Sequence, residues 1–260
     1  KIKMKKIVTI LVLSIIILAS CGDDDTNALP KTEVTFRFSH NWDGTEVTNT
    51  DFNNIQYLNA SNDELSIEKL RYLISKVTFH KSNGETIVVD GYNLVDVTNA
   101  SNMTFTPSET LTVGTYSNVS FTFGFDNEDN IDGAYADLNS TSWGVPMMMG
   151  GGYHFMQLEG KFIDNVASET GYAYHAIKAV DNSDPNNLVF QDTFFTVDLG
   201  EVIIRENAGI EVNMNIAEWF KNPITWDLND RHSMLMPNFD AQVDMFKNGA
   251  TVFSLGEVTP

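Results

Sequence analysis

The sequence predicts an all-β protein, a single antiparallel β-sandwich domain with long loops, and three observations carry that expectation. Runs of alternating apolar and polar residues recur along the chain, turn residues separate them, and helix signals are few. No repeat with a period of about 20 to 50 residues is present, which argues against a solenoid or propeller.

The elements follow in order. Val34, Phe36, Phe38 and His40 alternate with Thr35, Arg37 and Ser39, giving a first strand over 34–40. Further strands are expected over 70–79, 86–89, 119–125, 153–162, 172–180, 193–199, 209–216, 241–247 and 250–255. Asn83-Gly84 and Asn248-Gly249 each stand between two such runs, and Asn-Gly supplies the positive φ angles that a two-residue hairpin needs. Residues 66–69 read as a turn entering the strand at Leu70. Residues 216–221 read as a short helix closed by Pro223.

Ahead of the domain lies a processing signal. A basic stretch from Lys1 to Lys6 precedes an apolar run over 7–18 that is too short for a spanning helix, so residues 1–20 are expected to be a signal peptide. The sequence Leu18-Ala19-Ser20-Cys21 resembles the bacterial lipobox, which makes Cys21 the expected lipidation site and the membrane a partner through that lipid. Residues 21–31 are then an acidic tether and 32–260 the folded domain. Gly22-Asp23-Asp24-Asp25 resembles the acidic export signal of Bacteroidota lipoproteins. The expected address is the outer membrane, at the cell surface or otherwise facing the periplasm.

Composition narrows the function classes. The chain has 260 residues, is 42% hydrophobic, and sets 16 basic against 35 acidic residues for a net charge of -19, so it suits a large core and not a nucleic-acid partner. Cys21 is the one cysteine, which leaves no intramolecular disulfide and no thiolate for metal or nucleophilic chemistry in the domain. Gly-x-Ser-x-Gly, His-Glu-x-x-His and Walker motifs are missing, and an enzyme is not expected. Without Cys-x-x-Cys-His, any haem belongs to a partner.

The stretch from Trp143 to Gly160 is the chemically richest. Met147-Met148-Met149-Gly150-Gly151-Gly152-Tyr153-His154 crowds thioethers, flexible backbone and an imidazole into one loop. Thioether sulfur suits Cu(I) and imidazole serves copper in either oxidation state, so a copper site competes here with the plain reading of core-filling methionines. Among the five histidines, His40 ends the apolar face of its strand, His154 shares a face with Met156 and Leu158, and His175 shares one with Ala173 and Ile177. His80 falls on a polar face beside a turn, and His232 sits in a second methionine-bearing loop, Asn229 to Pro237. The run Asp126 to Asp132 has alternating oxygen ligands but lacks the closing glutamate of an EF-hand. It reads as an acidic turn, with an irregular Ca²⁺ site at Asp126–Asp132 as the weaker alternative.

Several phrases together resemble the MbnP family of bacterial copper-binding proteins. They are Leu70-Arg-Tyr-Leu-Ile-Ser-Lys-Val, Phe121-Thr-Phe-Gly-Phe-Asp-Asn followed by Asn130, Gly152-Tyr153 through Leu158-Glu159-Gly160, His175, and Trp219-Phe220. They occur in the family's order across about 32–258. The resemblance implies a secreted or lipid-anchored β-sandwich and an MbnH-like partner, a dihaem cytochrome c peroxidase-type protein that converts a family tryptophan to kynurenine for copper binding. It also aligns His175 with a family histidine. Met147 and Met149 take the places where the family commonly has tryptophans, so a methionine-histidine site is expected instead, with His40, His175, Met147, Met149 and His154 as copper ligands, for Cu(I) or Cu(II). The alternative is a metal-free surface module of the same fold that grips a glycan or a protein with loops around Trp42, Trp143 and Trp226.

Overall fold

The computed structural model describes residues 29–260. The expected signal peptide, the Cys21 lipidation site and most of the acidic tether lie outside the described residues.

Nine long strands and two helices organise the domain: β1 (Val34–Trp42), β2 (Lys69–His80), β3 (Tyr92–Asp96), β4 (Gly114–Phe123), α1 (Ala136–Ser140), β5 (Met156–Ile163), β6 (Glu169–Ala176), β7 (Phe195–Ile204), β8 (Ala208–Asn215), α2 (Phe239–Asn248) and β9 (Phe253–Thr259). Two sheets face each other. A nine-stranded sheet carries β7, β4, β2, β5, β6 and β3, and a five-stranded sheet carries β9, β8 and β1. Alternation sets the faces, since residues i and i+2 share a side of a strand. Val34, Phe36, Phe38, His40 and Trp42 of β1 turn inward, and Leu70, Tyr72 and Ile74 of β2 meet them across one core.

The expected fold class holds, with local exceptions. β1 and β8 run parallel, Val34 beside Ala208 through Asn41 beside Asn215; parallel neighbours need a long crossover, and here most of the domain intervenes. Residues 241–247 form helix α2 and not a strand. Ala241, Gln242, Met245 and Asn248 are buried at helical spacing, and Asn238 caps the first turn by accepting from the Ala241 N–H. Consequently Asn248-Gly249 ends a helix instead of turning a hairpin, whereas Asn83-Gly84 lies in the turn that returns β2 onto the strand Thr86–Val88, with Gly84 at φ 86°. The short helix expected near 216 is a 3-10 turn over Ile216–Phe220.

One irregularity positions the site. β2 pairs with β5 from Lys69 to Tyr72 and with β4 from Ile74 to His80, along the same edge. Leu73 marks the handover: its carbonyl accepts from Gly124 N–H and its N–H donates to the Phe155 carbonyl. Gly124, at φ 84°, is required there, because a Cβ would lie 2.4 Å from the Phe155 ring. Everything from Phe125 to His154 therefore leaves the sheet and returns to it at one point. It folds over the outer face as a small second core of Leu73, Phe125, Leu138, Trp143 and Tyr153.

Candidate metal site on the outer face

Register defines which side chains meet on that face. Arg71, Gln157 and His175 are cross-strand partners on β2, β5 and β6, as are Lys69, Glu159 and Ala173 one step along. These rows point away from the core lined by Tyr72, Met156 and Leu158. The long loop brings Trp143 and His154 onto the same outer face.

The loop holds its shape through its glycines. Gly150, Gly151 and Gly152 have φ values of 96°, 68° and 75°, a left-handed run that side chains resist. Asn130 accepts from the Tyr153 N–H at 2.8 Å and Asp132 from the Gly152 N–H at 3.2 Å. The chain then bends at Phe155, which interrupts the alternation read from the sequence and lets His154 join the outer row instead of the inner face of Met156 and Leu158.

His154 is 4% exposed. Its Nδ1 lies 2.8 Å from the Trp143 carbonyl, and a carbonyl only accepts, so Nδ1 carries the proton. Burial pushes the imidazole down to about 4, which keeps it neutral at pH 7. Nε2 therefore presents a bare lone pair, and it faces Met236 Sδ at 3.2 Å. With no proton between them, an imidazole nitrogen and a thioether sulfur, both donors that suit copper, lie side by side. The His175 ring lies against His154 edge-on, 5.3 Å between centroids. Its Nε2 meets Glu159 Oε1 at 2.8 Å, and the same oxygen accepts from Lys69 Nζ at 2.7 Å. The hydrogen bond from His175, helped by Lys69, holds the Glu159 carboxyl down to about 2 against its partial burial.

Met236 comes from the loop between the 3-10 turn and α2. That loop is fastened at three places: the Ala173 N–H donates to the His232 carbonyl at 2.8 Å, the Trp226 indole donates to the Arg231 carbonyl at 2.8 Å, and Arg231 pairs with Asp244 at 2.8 Å. Gln242 of α2 completes the fastening. Its amide accepts from Ile177 N–H and donates to the carbonyls of His175 and Leu235, so one fully buried side chain ties Met236's neighbour to His175. Below the histidines, the Arg71 guanidinium lies over the Trp143 ring at 5.1 Å. The Trp143 indole N–H is buried with no hydrogen-bond partner among the described residues.

A family model for MbnP matches residues 31–237. The chain belongs to the MbnP family. A solved structure, MbnP from Methylosinus trichosporium, superposes with a TM-score of 0.54 over 88% of this chain and 99% of that one, at 14% identity, which is a likeness of fold. No curated protein sequence matches.

Within this MbnP-family domain the expected ligands do not converge as the sequence suggested. His154 and His175 meet. His40 does not join them: it points into the core, where its Nε2 lies 3.1 Å from the Tyr72 hydroxyl, on the opposite side of the nine-stranded sheet from His175. Met147 and Met148, on a 3-10 turn, are 67% and 72% exposed. Met149 lines a separate cavity of about 250 Å³ with Phe190 and Lys178. Three consecutive left-handed glycines, Gly150 to Gly152, separate these methionines from His154. Met236, in the second methionine-bearing loop, is not among the ligands that the sequence suggests; the tertiary contacts of that loop, Gln242 to the Leu235 carbonyl among them, bring it to His154.

Other expectations shift as well. Among the described residues, no three His, Cys, Asp or Glu side chains surround a common point, so a metal at this site depends on the thioether. The calcium alternative finds no support, because Lys76 fills the place of a cation in the Asp126 loop, paired with Asp126, Glu128 and Asp129. Asn130 and Asp132 are used by the glycine loop. Trp42, Trp143 and Trp226 are buried, at 8%, 0% and 0% exposure, and offer no platform for a glycan. His80 is half-buried against Ser120, and His232 donates to the Leu228 carbonyl.

Proposed function

We propose that this protein binds copper on the outer face of its larger sheet, through His154 Nε2 and Met236 Sδ, with His175 as the adjoining imidazole. MbnP-family membership associates the chain with copper. The observation that carries the particular site is the lone pair of His154 facing a thioether at 3.2 Å with no proton to share. A neutral imidazole–thioether set is soft and uncharged, and it favours Cu(I) over hard divalent ions. Bound copper would supply a redox-active centre. The chain's own residues bind and orient it: the Trp143 carbonyl aims His154, and Gln242 holds the Met236 loop.

The protein is a binding protein in this reading and not an enzyme. Its address is the outer membrane through a lipid on Cys21, and an MbnH-like dihaem cytochrome c peroxidase-type protein is its proposed partner. Pro30 pairs with Val113 at the His80 end of β2, and Arg71, His154 and His175 lie toward the other end. Trp143 is packed on all sides, and its conversion to kynurenine is not expected. Intact-mass measurement after co-expression with such a partner tests that point.

Competition titration with a Cu(I) chelator tests the site. One copper per chain is expected, with affinity falling at least about tenfold in Met236→Leu and in His154→Phe. Equal affinity in wild type and both variants would place the copper elsewhere.

A further inference from the structure

The two histidines are held by different acceptors. The Trp143 carbonyl takes both the backbone N–H and the Nδ1–H of His154, at 3.0 and 2.8 Å. Glu159 Oε1 takes the Nε2–H of His175 at 2.8 Å and a proton of the Lys69 ammonium at 2.7 Å. Neither a carbonyl nor a carboxylate donates, so in each ring the contacting nitrogen is the protonated one. The consequence is opposite for the two rings in their neutral forms: His154 keeps its lone pair on Nε2, and His175 keeps its lone pair on Nδ1.

We infer that Glu159, anchored by Lys69, is a positioning residue that fixes His175 in its Nε2–H form so that Nδ1 is the nitrogen offered to the metal, opposite to the nitrogen offered by His154. Nothing in the sequence assigns Glu159 this role. It sits on β5, the strand that the glycine loop leads into, and its link to His175 follows from register, since Glu159 on β5 pairs with Ala173 and His175 pairs with Gln157, placing carboxylate and imidazole diagonally on one face. An acceptor behind a ligating imidazole fixes ring orientation as well as tautomer, and its loss typically costs about 10- to 100-fold in metal affinity. The functional consequence rests on the copper reading proposed above; the tautomer itself does not.

The test separates the two. Two-bond proton–nitrogen correlation spectra of metal-free, ¹⁵N-labelled protein at pH 8 report which ring nitrogen is protonated. The expected result is Nε2–H for His175 and Nδ1–H for His154. Glu159→Gln keeps an acceptor oxygen and is expected to retain the His175 pattern; Glu159→Leu is expected to give a mixture of tautomers and a Cu(I) affinity lowered by about 10- to 100-fold. Nδ1–H at His175 in the wild type, or an unchanged tautomer in a folded Glu159→Leu, would overturn the inference. Correct tautomers with no copper uptake by the wild type would leave Glu159's role standing and remove the copper reading.

Discussion

Gln242 is the residue whose loss should be felt most widely. Replacing it by leucine removes an acceptor for the Ile177 N–H at 2.8 Å and donors for the carbonyls of His175 at 2.8 Å and Leu235 at 3.0 Å. All three groups lie under α2, where water does not reach the 0%-exposed side chain. A buried polar group left unpaired costs about 1 to 3 kcal/mol. Three of them, less a small gain from the apolar side chain, give a loss of about 4 kcal/mol, a large share of the roughly 5 to 15 kcal/mol that holds a domain together. Urea unfolding followed by tryptophan fluorescence measures it. Because the same amide holds the Met236 loop against His175, Cu(I) affinity should fall with stability under native conditions. A loss below about 1 kcal/mol would mean that the three groups find other partners and that Gln242 does not hold them.

Three further outcomes follow. His40 and His154 are buried, and burial pushes each imidazole from 6.5 to about 4. The unfolded chain therefore binds more protons between those values, and stability should be full above about pH 6.5 and decline as pH falls to about 4, by at most ~3 kcal/mol per histidine; urea midpoints across pH 4 to 7 should show the decline, and His40→Leu should reduce it. Gly124→Ala puts a Cβ 2.4 Å from the Phe155 ring at φ 84°, and calorimetry should show a loss of at least about 2 kcal/mol. Calcium should leave the wild-type melting temperature unchanged, whereas Lys76→Met, which removes the cation from Asp126, Glu128 and Asp129, should make it rise with added Ca²⁺.

Much of the fold was legible because period-2 alternation is a direct image of a two-faced sheet, as in β1 with its inward Val34, Phe36 and Phe38. The helix α2 was not, since Ala241, Val243 and Met245 also alternate at period 2; the deciding signals were the Asn238 cap and the buried Gln242 and Asn248, polar residues that a hydrophobicity pattern discounts. The site was partly legible. His154 and His175 stood out as imidazoles on strands, and the glycine run correctly marked an unusual loop. The partner sulfur did not, because Met147 to Met149 lie near His154 in sequence while Met236 lies near it only in space. His40 misled for the opposite reason: a histidine closing an apolar face is placed correctly by alternation, but alternation does not tell which side of the neighbouring sheet the other histidine occupies.

X-ray absorption at the copper edge, on protein loaded with one equivalent of Cu(I), reads the proposed ligands directly. A shell containing one sulfur together with imidazole nitrogen is expected, at about 2.3 and 2.0 Å, with loss of the sulfur in Met236→Leu. A nitrogen-only shell in the wild type, or a sulfur shell that survives Met236→Leu, would contradict that expectation.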